Sequence, residues 1–109
     1  MDTNITLREI NDDNLYQVLR LFDTLTPYQK NCMSPNAYSL SEAYLYPDLA
    51  WPRAIYLGEE PIGFVMLSIR EKKIKVEDQP GHFLWRFMIA RPFQRKGYGS
   101  KALNLIVEK

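Results

Sequence analysis

The stretch Arg91-Pro-Phe-Gln-Arg-Lys-Gly-Tyr-Gly-Ser-Lys-Ala102 decides how the rest of the chain is interpreted. The dense apolar run Phe83-Leu-Trp-Arg-Phe-Met-Ile-Ala90 precedes it, and the helix-like run Lys101-Ala-Leu-Asn-Leu-Ile-Val-Glu-Lys109 follows. A strand, a glycine-containing loop and a helix in this order favour anion binding, because unpaired N–H groups and the helix dipole meet at the start of the helix. Gly97 and Gly99 let a bulky ligand approach the backbone. The stretch therefore predicts a site for the pyrophosphate of a cofactor, with full positive charges from Arg91, Arg95, Lys96 and Lys101.

The composition is that of one soluble globular domain. The chain has 109 residues, of which 46% are hydrophobic and 25% are charged. The formal net charge is +1, which gives no overall basic field to attract nucleic acid. The single Cys32 excludes an internal disulfide and fits a reducing compartment. Since neither a signal peptide nor an apolar run long enough to cross a bilayer is evident, we expect a cytoplasmic protein without membrane contact.

The N-terminal part alternates a strand with helices. Residues 4–9 alternate apolar and polar side chains and predict a first strand. The polar run 11–14 offers N-caps for an amphipathic helix that continues to Leu25 and ends at Thr26-Pro27. Residues 26–38 are predicted to be a loop, either functional or a plain surface crossover. A second short helix, capped by Ser39 or Ser41, is expected to reach Tyr46.

Three strands follow. Residues 54–57 and 62–69 predict a β-hairpin with its turn at 58–61, and the second strand is apolar on both faces, as a central strand would be. The charged connection 70–81 is predicted to be a solvated hairpin tip. In the run 83–90, alternation places Phe83, Trp85, Phe87 and Ile89 on one face. Arg86 falls on the other face and needs a partner or an opening, because burial of an unpaired charge is costly.

The predicted order is β-α-α-β-β-β-α, followed by no further strand. This order favours an α+β layered fold, a mostly antiparallel sheet flanked by helices. Metal-ligand spacing is absent, since Cys32 and His82 are single and far apart. The chain contains neither a Gly-x-Ser-x-Gly elbow nor a P-loop, and the glycines lack the third member of a dinucleotide-binding fingerprint.

The segment Gln94-Arg95-Lys96-Gly97-Tyr98-Gly99 matches the Arg/Gln-x-x-Gly-x-Gly/Ala loop of the GNAT superfamily of N-acetyltransferases. Phe87-Met-Ile89 looks like the family's pantetheine-contacting strand, and residues 57–67 resemble the hairpin of its second and third strands. Residues 1–109 thus resemble a single GNAT-type domain. The run 83–89 together with the glycine loop is most similar to bacterial spermine/spermidine (diamine) N-acetyltransferases.

The resemblance implies acetyl-CoA as co-substrate. Its pyrophosphate would lie on the N–H groups of residues 95–100, balanced by nearby cations, and its pantetheine arm would pair with the backbone of Met88 and Ile89. The Ile89 N–H would polarise the thioester carbonyl. The expected cofactor-binding residues are Phe87, Met88, Ile89, Gln94, Arg95, Lys96, Gly97, Tyr98, Gly99 and Ser100.

The implied reaction is direct attack of a neutral primary amine on the thioester, which requires a base, a carbonyl donor and an acid. The positions at which relatives often carry the activating acid hold Trp85 and Arg86, so no catalytic residue is assigned. The family's thiolate-protonating tyrosine usually follows a fifth strand. Because the sequence stops at Lys109, before that strand, we expect a truncated domain. Its open strand edge favours a homodimer, formed by self-association or strand exchange.

A polyamine acceptor would need acidic or aromatic contacts. Aromatic candidates for cation–π contacts are Tyr28, Tyr38, Tyr44 and Tyr46, with ordinary core or surface packing as the alternative. Acidic candidates, each also explicable as a solvated surface carboxylate, are Glu42, Asp48, Glu59, Glu60, Glu77 and Asp78. Two functional classes remain open, an N-acetyltransferase and a non-catalytic CoA-binding or dimerising module. A nucleic-acid binder is disfavoured by the small net charge.

Overall fold

The computed structural model describes residues 4–70 and 81–107. Four strands are present in this part of the chain, β1 (Ile5–Arg8), β2 (Ala50–Leu57), β3 (Glu60–Arg70) and β4 (Gly81–Ile89). Four α-helices accompany them, α1 (Leu15–Leu21), α2 (Pro27–Asn31), α3 (Asn36–Leu45) and α4 (Tyr98–Val107). Two single 3₁₀ turns cover Phe22–Thr24 and Arg91–Phe93.

The strands form one antiparallel sheet in the order β1-β2-β3-β4. The predicted mixed fold with a mostly antiparallel, helix-flanked sheet is confirmed. β3 lies between β2 and β4, and every residue from Ile62 to Leu67 is buried. This arrangement explains why its sequence is apolar on both faces.

The sheet separates two apolar clusters, one on each face. One cluster contains Ile55, Val65 and Ile89, and it is covered by α4 through Ala102. The other contains Val18 of α1 together with Phe64 and Met88, and α3 also packs on this side. Helices thus pack on both faces of β3 and β4. This packing fixes the end of β4 that leads into the glycine loop.

Residues 26–38 were predicted to be a loop, and this prediction is wrong in detail. α2 occupies part of the segment, because Thr26 and Gln29 form a capping box and Pro27 stands at the first helical position. α3 begins at Asn36, after Pro35 at its N-cap, so neither Ser39 nor Ser41 caps it. The first long helix also ends earlier than predicted, at Leu21, and continues as the 3₁₀ turn.

The predicted alternation along β4 is broken at Trp85. Arg86 pairs with Met66 and Leu84 pairs with Leu67, so Trp85 is an extra residue that forms a β-bulge. As a result, Trp85 packs with Met88 on the α1/α3 face, whereas Phe87 packs with Ile89 on the α4 face. The prediction that Trp85 shares a face with Phe87 and Ile89 is therefore wrong. The predicted hairpin tip at 70–81 falls mostly on residues 71–80, outside the described residues.

Candidate functional site

The glycine loop has a backbone shape suited to an anion. Arg95 and Gly97 have positive φ values of 62° and 84°. Turns of this kind direct successive N–H groups into one concavity. The Lys101 N–H donates to the Gly97 carbonyl at 3.2 Å, so the N–H groups of the three preceding helical residues have no acceptor within α4. The start of α4 therefore presents free donors and the positive end of the helix dipole.

The two glycines of the loop face different surroundings. A Cβ built on Gly97 would meet nothing within 4 Å, so the space above this residue is open. A Cβ on Gly99 would lie 3.7 Å from side-chain atoms of both Ile89 and Phe87, at ordinary contact distance. Gly97 thus borders the space a ligand would fill, and Gly99 lets the first turn of α4 lie close to β4.

Gln94 fastens the loop to the end of β4. Its Nε2 donates to the Ile89 carbonyl at 2.8 Å, and its Oε1 accepts from Nε2 of Gln29 at 3.1 Å. Nearby, the Arg91 N–H donates to Oγ1 of Thr24 at 2.9 Å. These bonds join the loop, the strand end and the α1–α2 region into one structure. Gln94 is predicted from the sequence to bind the cofactor, and in the structure both ends of its amide have a protein partner.

The outer edge of β4 presents backbone groups beside this loop. The Ala90 N–H donates to the Ile62 carbonyl at 2.7 Å, and the Met88 carbonyl lies toward Gly63 on β3. Antiparallel strands alternate in this respect, so the backbone groups of Ile89 point away from β3, as do those of Phe87. The Gln94 bond to the Ile89 carbonyl agrees with this direction. Among the described strands none lies beyond β4, so this edge is open within that part of the chain.

The cations predicted to balance phosphate charge surround the loop. Arg91, Arg95, Lys96 and Lys101 are all exposed, and within residues 4–70 and 81–107 none of them forms an ion pair. Tyr98 is half-buried and packs against the α4-side core. The free N–H groups, the open space above Gly97 and the exposed cations together fit the pyrophosphate of acetyl-CoA. We call the loop 94–97, the first turn of α4 and the outer edge of β4 from Phe87 to Ile89 the cradle.

A groove of about 330 Å³ lies next to the cradle, and Phe87 lines both. Its charged lining residue is Arg86, whose Nη2 donates to Oε1 of Glu42 at 2.9 Å and whose Nη1 donates to the Trp85 carbonyl at 3.1 Å. The prediction that Arg86 needs a partner is confirmed by this ion pair. The α2–α3 connection also lines the groove; for residues 26–38 the sequence left a functional loop and a plain surface crossover as alternatives, and no motif decides between them. The full lining is Cys32, Met33, Ser34, Trp85, Arg86 and Phe87.

The carboxylates considered as contacts for a polyamine have different partners. Glu42 is paired with Arg86, whereas Glu59 accepts two hydrogen bonds from Arg8 at the β2–β3 turn. The bonds and charge of Arg8 lower the pKa of Glu59, and those of Glu59 raise the pKa of Arg8. Glu77 and Asp78 lie outside the described residues. The tyrosine candidates do not line the groove; all are exposed on the surface of the α2–α3 region, Tyr28, Tyr38, Tyr44 and Tyr46.

Two further properties of the described residues bear on function. Within them, no three His, Cys, Asp or Glu side chains are grouped closely enough to hold a metal ion. None of the helices in this part of the chain is long and apolar enough to span a membrane.

Comparison with known proteins gives one family and a shared fold. The model of the acetyltransferase (GNAT) family matches residues 15–109. An acetyltransferase from Thermus thermophilus is 18% identical with a TM-score of 0.73, over 99% of this chain and 71% of that one. AAC(6')-Iy, solved in complex with the bisubstrate analog CoA-S-monomethyl-acetylneamine, is 17% identical with a TM-score of 0.60, over 96% of this chain and 70% of that one. No curated protein matches the sequence.

Proposed function

Because the chain belongs to the GNAT family of acetyltransferases, we propose that it binds acetyl-CoA in the cradle and transfers the acetyl group to a primary amine. The observation that carries this proposal is the open, donor-lined space above Gly97 at the start of α4. The family generally depends on acetyl-CoA, and AAC(6')-Iy, which shares the fold, was solved with a CoA-containing analog.

The roles of the individual cradle residues follow from their placement. The N–H groups from Arg95 to Ser100 would hold the pyrophosphate, and the exposed Arg95 and Lys96 would balance its charge. Gln94 would position the loop for the cofactor, since its amide fixes the loop to β4. Along the strand, the outward backbone groups of Phe87 would pair with the pantetheine arm. The Met88 backbone, which was expected to pair as well, would not do so, because its carbonyl lies toward Gly63 on β3, and the Ile89 carbonyl already accepts a hydrogen bond from Gln94.

Acetyl-CoA supplies an activated thioester, and the chain must then orient it and stabilise charge on its carbonyl oxygen. The Ile89 N–H points outward from the strand, and its own carbonyl is already occupied by Gln94. We assign this N–H the role of carbonyl donor, because a fixed backbone donor stabilises an oxyanion without reorganisation. The groove beside Phe87 would admit the amine. No base is assigned among its lining residues, since the charged one is Arg86.

Spermidine or spermine is the acceptor that the sequence resemblance favours. The groove itself offers a polyamine the aromatic Trp85 and Phe87, to which ammonium groups are attracted. The carboxylate of Glu42 is held by the lining residue Arg86 at 2.9 Å. That pairing favours a second candidate function, a module that binds CoA without transferring the acetyl group.

Two measurements separate these functions. Isothermal titration with CoA should show saturable binding under both, and no binding would contradict both. Release of CoA thiol in the presence of acetyl-CoA and spermidine should then occur with the 109-residue chain or with a version extended beyond Lys109. Thiol release above the rate without amine supports the enzyme. CoA binding without release in either version supports the non-catalytic module.

A further inference from the structure

A chain of side-chain amides joins the start of α2 to the end of β4. The Thr26 N–H donates to Oε1 of Gln29 at 3.0 Å, and Nε2 of Gln29 donates to Oε1 of Gln94 at 3.1 Å. Nε2 of Gln94 then donates to the Ile89 carbonyl at 2.8 Å. We call these three consecutive hydrogen bonds the amide relay. Its two glutamines are half-buried and lie 65 residues apart in the sequence.

The two ends of the relay fix the direction of every bond in it. A backbone N–H can only donate a hydrogen bond, and a backbone carbonyl can only accept one. Oε1 of Gln29 must therefore face Thr26, and Nε2 of Gln94 must face Ile89. The two glutamines then meet with a donor on Gln29 and an acceptor on Gln94. Each amide thus has a single orientation that satisfies all three bonds.

Hydrogen bonds, and not burial, hold the Gln29 side chain in place. Residues 27–31 form α2, and none of these five is buried. The helix begins with a capping box, in which the Gln29 N–H donates to Oγ1 of Thr26 at 3.2 Å while Oε1 of Gln29 accepts from the Thr26 N–H. The capping box therefore fixes one end of the Gln29 amide, and the other end is directed at Gln94.

We propose that Gln29 is a positioning residue for the cradle, because it sets the orientation of the Gln94 amide and so keeps the Ile89 carbonyl occupied. If an acceptor replaced the Gln29 donor, Gln94 would turn its Nε2 toward residue 29. Its Oε1 would then face the Ile89 carbonyl, where two oxygens repel each other. The glycine loop would lose its attachment to the strand end. The effect on CoA rests on the proposed function, whereas the relay itself does not.

The same helix also leads into the groove. α2 is followed directly by Cys32, Met33 and Ser34, which line the groove beside the cradle. The relay thus fixes the groove side of the site relative to the cofactor loop. Direct transfer needs this placement, since the acceptor amine and the thioester must be held at reacting distance.

Gln29→Glu changes one bond of the relay and keeps the others possible. Glutamate retains an oxygen that accepts from the Thr26 N–H and is itself a common capping-box residue, so α2 should remain folded. Its second oxygen would attract Nε2 of Gln94 away from Ile89. Isothermal titration should show CoA affinity about five- to tenfold lower than that of the wild type. The control for the added negative charge is Tyr28→Glu at a 78% exposed neighbour, which should bind CoA within about twofold of the wild type.

A second substitution should remove the effect of the first. The side chain introduced by Gln94→Arg carries only donors, so it can donate both to the Ile89 carbonyl and to a carboxylate at position 29. In the Gln94→Arg background, Gln29→Glu should therefore leave CoA affinity equal or higher. An equal loss of affinity in both backgrounds would overturn the proposal, because Gln29 would then act independently of Gln94.

A measurement without CoA separates the relay from the proposed function. The carbon-13 NMR shift of the Ile89 carbonyl reports its hydrogen bond, and it should move upfield in Gln29→Glu as it does in Gln94→Met. An unchanged shift in Gln29→Glu would overturn the proposal even if this variant bound CoA less tightly. If the wild type binds no CoA, the proposed function fails, and the Ile89 shift alone then decides whether Gln29 orients Gln94.

Discussion

The side chain of Gln94 donates a hydrogen bond from Nε2 to the backbone carbonyl of Ile89 at 2.8 Å. This bond joins the residue that opens the glycine loop to the residue that closes β4. It occupies the outward carbonyl of Ile89 and leaves the outward N–H of the same residue available. The position of the loop relative to the strand edge, and with it the shape of the cradle, depends on this contact.

Replacement of Gln94 tests that dependence. Gln94→Met keeps a similar side-chain volume but removes both hydrogen bonds, each worth about 1 kcal/mol. We expect CoA affinity to fall roughly tenfold. Gln29→Met removes the bond to Gln94, and with it the capping-box bond to the Thr26 N–H, but leaves the bond between Gln94 and Ile89, so titration should show a smaller loss of CoA affinity. Equal affinities for Gln94→Met and wild type would show that the bond does not shape the cradle.

Gly63 allows β3 and β4 to lie close together opposite Ile89. A Cβ at this position would lie 2.5 Å from the Met88 carbonyl oxygen, which is backbone and cannot move freely. Gly63→Ala should therefore lower the free energy of unfolding by about 1–3 kcal/mol, as overpacking does. Gly99→Ala is the matched comparison, because its Cβ would meet neighbours at 3.7 Å, and it should not destabilise. Urea unfolding of both variants measures the difference in their free energies of unfolding. Equal midpoints would show that a side chain at residue 63 is tolerated beside the Met88 carbonyl.

The Arg86–Glu42 pair joins α3 to β4. About a quarter of each side chain is exposed, 26% and 23%, so loss of one partner leaves a partly desolvated charge. Glu42→Gln should reduce stability by about 1–2 kcal/mol. A double-mutant cycle with Arg86→Met should give a coupling of about 1 kcal/mol. Additive effects in this cycle would show that the pair does not hold the helix.

The Arg8–Glu59 pair predicts a specific pH dependence. Hydrogen bonds and charge from Arg8 hold the pKa of Glu59 below its usual value. A carboxylate whose pKa is lowered in the folded state stabilises the folded protein at pH values above its pKa in the unfolded state. This contribution is lost as the pH falls through the pKa of the folded state. In Arg8→Gln, an NMR titration should show the pKa of Glu59 rising toward the ordinary value. Arg53→Gln, which alters a different arginine, should leave the pKa of Glu59 unchanged. If the pKa of Glu59 does not rise in Arg8→Gln, Arg8 is not what lowers it.

The strands and the glycine loop were predictable from sequence because their signals are local. The apolar run of β3 indicates a central strand, and Gly97 with its flanking cations indicates an anion site before any fold is known. Both depend on residues close together in the chain. The family match over residues 15–109 agrees with the resemblance found in these segments.

Other features depend on partners that are distant in sequence. The bulge at Trp85 is a matter of register between β3 and β4, and alternation along one strand cannot show it. The orientation of α3 depends on Val18 and Arg86, which lie 18 and 44 residues from their partners. The groove joins the α2–α3 connection to β4, and no sequence motif links these segments.

The most direct test of the cradle is a CoA titration of the wild type, Gly97→Val and Gly97→Asn. Both substitutions fill the open space above residue 97, but asparagine tolerates a positive φ, so a loss shared by both reflects the blocked site and not backbone strain. Leu103→Ala, at an exposed position further along α4, serves as the control. We predict saturable CoA binding by the wild type and the control, and an affinity at least about tenfold lower for both Gly97 variants. Unchanged affinity in Gly97→Val, or no CoA binding by the wild type, would contradict it.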